Sequence, residues 1–324
     1  MVSQKKKTDG VDIRALRVFE AVATSGNLSV AAQQLGITQS AVSQTLNQIE
    51  QMLEVLLFDR TRRPLKLTAA GIALSRRARQ IVDDMDRLVV HVREADLMIK
   101  PALRVGMIDS FAATVGPTVV RQMTSSASQL LLWSGLANSH ATAFLNRQLD
   151  VIVSSDPLDD VDAIIRRVIF AEPFLVVIPK NRKSQFENKS LRELMGGFPL
   201  IRFSSRSHFG VIIDRYLRRR GLIPQSYLEI DTADVVMAMV AADLGWTITT
   251  PLCLLQGKSH LKDISVLPYA DLKLKRTIYQ LSREGEFEEM ALLCSQVSKQ
   301  VLHEELVPLI RSYIPWLEES EFVS

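Results

Sequence analysis

Between Leu74 and Ile99 the apolar residues Leu74, Ala78, Ile81, Met85, Leu88, Val92, Ala95 and Ile99 recur in steps of 4, 3, 4, 3, 4, 3 and 4. That alternation averages 3.5 residues, the repeat of a left-handed coiled coil, and Arg76, Arg77, Arg79, Asp83, Asp84, Asp86, Arg87 and Arg93 fill the faces between. The spacing predicts one helix, capped by Thr68 and running to about Ile99, a rod on the order of 45 Å long. Dimerisation through the apolar seam is the direct reading; packing against the protein's own body is the alternative. Either way the rod separates a head from a body.

The head is basic. Residues 1–79 hold four Lys and eight Arg against six acids, a net +6, which leaves −3 for the rest of a chain whose formal charge is +3. A basic front end points to a polyanion, although a charge cluster also serves as a plain solvated face. From Asp12 the residues Leu16, Phe19, Val22 and Ala23 keep helical spacing until Ser25-Gly26-Asn27 stops it. A second pattern holds Leu28, Ala31, Ala32 and Leu35, and a third holds Val42, Leu46, Ile49 and Leu53. Only Gly36-Ile37-Thr38 separates these two, with Gly36 free to turn left-handed and Thr38 able to cap the next helix. With Val42 and Leu46 inward, the helix from Gln39 to about Gln51 presents Ser40, Ser43, Gln44 and Asn47 outward, an uncharged face of donors and acceptors suited to base edges and phosphate oxygens. An ordinary solvent-facing helix is the competing reading. The tract Leu57 to Thr68 then alternates apolar and basic residues as a two-stranded wing would, and places Arg62, Arg63 and Lys66 for the flanking backbone or minor groove.

Taken together, Phe19 to Gly71 resembles the winged helix-turn-helix of LysR-type transcriptional regulators. The small pair Ala31-Ala32, the recognition serine Ser43, the Leu57-Phe58-Asp59-Arg60 lead-in to the wing and Thr68-Ala69-Ala70-Gly71 at the start of the long helix match that family in order. Three positions depart from it: Glu54 stands where Gly is usual, Leu56 where Pro is common, and Gln44 where a basic residue often follows the serine. The resemblance implies DNA contacts from Thr38, Gln39, Ser40, Ser43, Gln44, Asn47, Arg60, Arg62, Arg63 and Lys66, and a linker helix that pairs two subunits over a partly palindromic site.

Beyond Lys100-Pro101 the texture becomes α/β. Strands are expected at 103–108, 129–133, 151–154, 174–178, 200–203, 227–230, 246–249 and 276–281, and helices at 112–123, 140–147, 208–219, 233–242 and 286–302. This order resembles the effector-binding domain of the same family, itself similar to periplasmic solute-binding proteins. The fold class expected is therefore α+β: a basic extension (1–11), a winged helix-turn-helix (12–70), a linker helix (71–99), a two-lobe effector domain (100–302; lobe I about 101–169 with 269–300, lobe II about 170–268) and a helical extension (303–324). Ligands of such folds sit at strand ends and helix N-termini, where free N–H groups favour anions. Ser110, Ser134, Gly135, Arg202, Phe203, Ser204 and Thr249 are the candidates for a small effector, with Ser110, Ser204 and Arg202 for a carboxylate and Phe203 as an apolar wall.

Other chemistries lack their motifs. His91, His140, His208, His260 and His303 share no ligand spacing, and no nucleophile elbow, dinucleotide loop or phosphate loop is present, so no metal, cofactor or enzymatic role is expected. Cys253 and Cys294 have no CxxC spacing and no basic sequence neighbour to activate a thiol. No apolar run reaches the ~18 residues of a membrane span, and no secretory signal opens the chain. The expectation is a cytoplasmic, homo-oligomeric transcription regulator, with double-stranded DNA, a small effector and RNA polymerase as partners. A cytoplasmic small-molecule-binding protein with non-regulatory DNA contact is the alternative.

Overall fold

The computed structural model describes residues 11–96, 100–223, 228–269 and 272–322. The chain divides into two units that meet in sequence at Ile99 and Lys100.

In the head, α1 (Ile13–Ser25), α2 (Leu28–Leu35) and α3 (Gln39–Leu53) begin where the sequence offers a side-chain acceptor. Asp12 accepts from the Ala15 N–H at 2.8 Å, Asn27 from Ser29 at 2.8 Å and Thr38 from Ala41 at 3.2 Å. Gly26 and Gly36 close the first two helices left-handed, at φ 62° and 66°. Glu54 does the same for α3, at φ 57°. The position where the resemblance expects Gly thus keeps a glycine's geometry, at a strain of roughly 1–2 kcal/mol for a residue with a Cβ. The wing is one short antiparallel pair, β1 (Phe58–Asp59) against β2 (Lys66–Leu67). Phe19, Val22, Ala31, Val42, Leu46, Ile49, Leu57 and Phe58 form the core beneath it.

The linker helix α4 spans Ala69–Asp96, and Thr68 caps it by accepting from the Gly71 N–H at 3.0 Å. Its apolar seam has two fates. Ala78 is fully buried in the head's own core, with Leu74 and Val82 packed alongside, because this end of α4 lies against α1. Ser75 donates to Glu20 at 2.9 Å, and Arg79 pairs with the same carboxylate at 3.2 Å. Ile81, Met85 and Leu88 instead stay exposed, at 51%, 42% and 56%. The expected seam is therefore shortened at its start: Leu74 and Ala78 serve the head. The side chains of Val92 and Ala95, and all of Ile99, lie outside the described residues.

The body runs β3 (Ala102–Ile108), α5 (Asp109–Thr114), α6 (Gly116–Thr124), β4 (Gln129–Gly135), α7 (Ala137–Leu145), β5 (Val151–Ser154) and β6 (Ile164–Pro173). It continues through β7 (Leu175–Pro179), α8 (Lys183–Phe186), α9 (Leu191–Gly197), β8 (Ile201–Phe203), α10 (His208–Arg219), β9 (Leu228–Ile230), α11 (Ala233–Ala241), β10 (Thr247–Thr249), α12 (Pro251–Gln256) and β11 (Ile264–Leu267). It returns as β12 (Lys275–Arg283), α13 (Glu288–Val301) and α14 (Val307–Tyr313). The first lobe's sheet has the order β4-β3-β5-β12-β6. In the second, β10-β7-β11 is joined to the β8-β9 pair by a bridge between Leu200 and Trp246. The chain crosses between lobes at Phe174, where β6 hands over to β7, and returns between Leu267 and Lys275. The outward crossing thus falls later than the expected Phe170.

Two strands escape the sequence pattern. In β6, Arg166 and Arg167 interrupt the apolar run, yet Arg166 turns its guanidinium to the carbonyls of Pro157, Val161 and Ile164 and so closes the loop before the strand. The short β11 is flanked by Asp263 and Pro268, which hide it in what reads as a loop. The helix expected over 112–123 is two helices, broken ahead of Pro117, whose ring removes an N–H donor. The tail belongs to the body: Leu306, Val307, Ile310, Ile314, Leu317 and Phe322 are buried in its main core. Among the described residues no helix is long and apolar enough to cross a membrane.

Candidate nucleic-acid interface and effector cleft

On α3 the side chains expected to read DNA share one accessible face. Gln39, Ser40, Gln44 and Asn47 are exposed and Ser43 partly so, while Val42, Leu46 and Ile49 hold the opposite face in the core. Thr38 Oγ1 and Ser40 Oγ lie 2.9 Å apart at the helix start, and Ser29 Oγ on α2 donates to Gln39 at 3.2 Å. Arg60, Arg62, Arg63 and Lys66 are all exposed on the wing. A groove of about 630 Å³ runs between Gln39 and Ser43 on one side and Arg60, Arg62 and Arg63 on the other, floored by the α1–α2 turn.

The residue that joins helix to wing was not among the sequence candidates. Glu50 is buried; one carboxylate oxygen accepts from the Leu57 and Phe58 N–H groups at 2.8 and 3.4 Å, and the other accepts from Arg60 at 2.7 Å. Its signal was available, since an acid one residue after Ile49 falls on the inward face of an amphipathic helix and needs partners there.

In the body a cleft of about 50 Å³ opens between the lobes, lined by Asp109, Ser110, Gly135 and Ser155 from the first and by Phe203, Ser207, His208, Asp231 and Thr232 from the second, with Arg276 of β12 behind. Ser110, Gly135 and Phe203 therefore stand where they were expected. Ser134 acts one step back, beside Asp109, whose charged form it favours. The other three candidates do not line the cleft. Arg202 and Phe203 are neighbours on β8, and successive strand residues point to opposite faces. Phe203 takes the cleft, whereas Arg202 pairs with Asp214 and, at 2.9 Å, with Glu229. Ser204 is buried and accepts from the Arg206 N–H at 3.2 Å, and Thr249 is buried within the second lobe.

The cleft's cation is Arg276. Its Nε lies 2.8 Å from Glu172 Oε1, its Nη2 donates to Ser110 Oγ at 3.1 Å, and its guanidinium sits 4.9 Å from the Phe209 ring centre. Glu172 also accepts from the Leu252 N–H at 2.9 Å, so the charge of Arg276 is already balanced. Arg276 also lies beside Cys253, a basic neighbour that the sequence alone did not disclose. Burial raises the pKa of Asp109, with Asp234 adding to the shift and Ser134 opposing it. Burial lowers that of His208, helped by Arg215 and Arg276 and opposed by Asp156. Besides the Leu252–Glu172 bond, two others span the lobes among the described residues: Ser155 Oγ to His208 Nδ1 at 3.2 Å, and Asn138 Nδ2 to the Arg206 carbonyl at 2.9 Å.

His140, on α7 beneath the cleft, is pushed by burial from 6.5 to about 4. The unfolded chain takes up this proton near pH 6.5 and the folded chain only near pH 4, so stability is full above 6.5 and drains away as pH falls between the two values. The loss reaches about 3 kcal/mol at the bottom of that window. His140→Gln should flatten the pH dependence of urea unfolding between pH 7 and 4.5; parallel curves for both proteins would refute the assignment.

A winged helix-turn-helix head carried on a long helix and followed by a two-lobe body with an interlobe cleft defines a DNA-binding regulator with an effector-binding domain. The profile described as "Bacterial regulatory helix-turn-helix protein, lysR family" matches residues 13–72, and "LysR substrate binding domain" matches residues 99–294. The chain belongs to the LysR family of transcriptional regulators. Among curated relatives, the HTH-type transcriptional regulator YofA of Bacillus subtilis is 27% identical over 265 residues, covering 80% of this chain and 89% of YofA. CzcR of Bacillus thuringiensis is 25% identical over 250 residues, covering 76% and 80%. Among solved structures, a full-length OxyR variant from Pseudomonas aeruginosa aligns with a TM-score of 0.63 at 18% identity, covering 89% of this chain and 95% of that one. Full-length CbnR complexed with its target DNA aligns with a TM-score of 0.60 at 19% identity, covering 90% and 99%.

Proposed function

We propose that this regulator reads a partly palindromic promoter site as a homodimer or dimer of dimers, and that its interlobe cleft takes a small carboxylate carrying a hydrogen-bond donor as well. It acts in the cytoplasm, with RNA polymerase as its downstream contact. The observation that carries the effector class is the mixed polarity of the cleft. Helices α7 and α11 begin at it with no side-chain cap, leaving backbone N–H groups for a carboxylate, while Asp109 and Asp231 offer acceptors to a donor on the same molecule. This revises the expectation that Arg202 would supply the positive end. A 50 Å³ space is far below the ~300 Å³ of ordinary ligand pockets, so a ligand must part the lobes at the Ser155–His208 and Asn138–Arg206 bonds to enter. Binding then alters the DNA complex only through a difference in affinity between open and closed forms.

The test is a footprint of the full-length protein on the DNA upstream of its own gene, with small hydroxy and amino acids added singly. Protection of two half-sites one or more helical turns apart, altered by one of these compounds, is the expected result. Ser43→Ala should weaken preference for that site over random DNA by about tenfold while leaving oligomerisation intact. Equal protection of every sequence would fit non-regulatory DNA contact instead.

For assembly, the exposed Ile81, Met85 and Leu88 continue the seam of α4 among the described residues. Ile81→Glu with Leu88→Glu should halve the mass found by light scattering, or reduce a tetramer to dimers. An unchanged mass would remove α4 from the interface.

A further inference from the structure

We propose that Asn47 reads a single hydrogen-bond acceptor on a base edge, and that Arg60, anchored by Glu50, is the positioning residue that restricts it to that reading. The inference rests on α3 being the DNA-reading helix. Asn47 and Glu50 lie one turn apart on α3, and Arg60 follows β1 at the root of the wing. A single guanidinium nitrogen, Nη2 of Arg60, donates both to Glu50 Oε2 at 2.7 Å and to Asn47 Oδ1 at 2.5 Å. Arginine has donors only, so the asparagine atom that faces it must be the carbonyl oxygen and not the amide nitrogen. The orientation of the Asn47 amide is therefore set by chemistry.

Asparagine recognises adenine by two bonds at once, accepting from N6 and donating to N7. The oxygen keeps a second lone pair, but a base amino group approaching it would meet the positive charge of the guanidinium, so the Nδ2 donor is the group left to Asn47 for reading. That donor meets an acceptor on guanine, on thymine or at adenine N7, and finds none on the cytosine edge, which offers an N4 donor. Arg60 cannot readily release the oxygen to join a phosphate. The Glu50 carboxylate is buried and pinned by the Leu57 and Phe58 N–H groups, so departure of Arg60 would strand a desolvated charge. The half-exposed guanidinium keeps its other donors for the nucleic acid, but its place is dictated from inside the head.

The test is selection of a randomised duplex DNA library by the full-length protein, followed by sequencing of the retained fraction. Wild type should show one position in each half-site that accepts adenine, guanine or thymine and disfavours cytosine about tenfold, and Asn47→Ala should erase that preference. Arg60→Met frees Oδ1, and adenine should then gain about tenfold at this position alone, with the rest of the site unchanged. Since Arg60→Met leaves Glu50 unpaired, the double variant Glu50→Gln with Arg60→Met, which keeps an acceptor for Leu57 and Phe58, should give the same adenine gain with wild-type helix content by circular dichroism. An unchanged base profile in both Arg60 variants, or a wild type already confined to adenine, overturns the proposal. A library from which wild type enriches nothing overturns the DNA-reading role of α3, and the proposal with it.

Discussion

Arg276→Ala should destabilise the body by about 3–5 kcal/mol, because it leaves the fully buried Glu172 carboxylate without its counter-charge. The pair joins β12 to β6, and the second oxygen of Glu172 holds the start of α12 through the Leu252 N–H. The number reflects a stranded charge more than the worth of the ion pair. A double variant, Arg276→Met with Glu172→Gln, should recover most of the loss, since the amide oxygen still accepts from Leu252 and no buried charge remains. Trp133, Trp246 and Trp316 are the chain's three tryptophans and all lie in the body, so urea unfolding followed by tryptophan fluorescence reports this unit alone. If the single and double variants lose equal stability, the charge argument fails and packing against Phe209 is what Arg276 contributes.

Why this pair was invisible in the sequence is instructive. Glu172 and Arg276 are far apart along the chain and meet only because β6 and β12 pair in antiparallel register, Arg276 directly opposite Glu172. Nothing local marks either residue as buried. A second non-local contact, the Leu252 N–H of α12 on Glu172, brings Cys253 beside Arg276, so a thiol with no basic sequence neighbour acquires one in the fold. Local signals fared better. Asp12, Asn27 and Thr38 cap the helices they precede, and Gly26 and Gly36 end the helices they follow, because capping depends on residues within one turn.

The candidate sites divide along the same line. The face of α3 was legible because helical period and short turns determine which side of a short helix is buried. The cleft was only half legible. Naming a strand-end loop as a ligand site requires knowing which alternate residues face it, and a one-residue choice separates Phe203 in the cleft from Arg202 outside it. The 3.5-residue seam shows a third case: the period correctly predicts a long helix, yet Leu74 and Ala78 bury against the head where Ile81, Met85 and Leu88 do not. Period alone does not say which apolar residue meets which partner.

Gly71→Ala separates sterics from helix propensity by the sign of its effect. In a helix interior alanine is favoured over glycine by about 1 kcal/mol, so propensity alone predicts a more stable head. At Gly71, however, a Cβ would lie 2.2 Å from the Leu57 carbonyl oxygen and 2.9 Å from a Leu67 methyl carbon. The first contact is with backbone, which cannot rotate away, and the same carbonyl already accepts from the Thr68 N–H at 3.0 Å while Thr68 Oγ1 donates to the Leu56 carbonyl at 2.7 Å. The start of α4 is thus fastened to the segment between α3 and the wing, and a methyl group must pry them apart. Overpacking of this kind costs about 1–3 kcal/mol or more, and with the fastening bonds lengthened the net expectation is a head destabilised by about 2–3 kcal/mol. Gly36→Ala is the matched control. Its Cβ meets open space, so only left-handed strain of roughly 1–2 kcal/mol applies. The head contains no tryptophan, so its melting appears in far-ultraviolet circular dichroism without a matching change in tryptophan fluorescence. A fluorescence-silent transition that moves down strongly for Gly71→Ala and slightly for Gly36→Ala supports the close approach; an upward shift for Gly71→Ala means that α4 does not bear on Leu57.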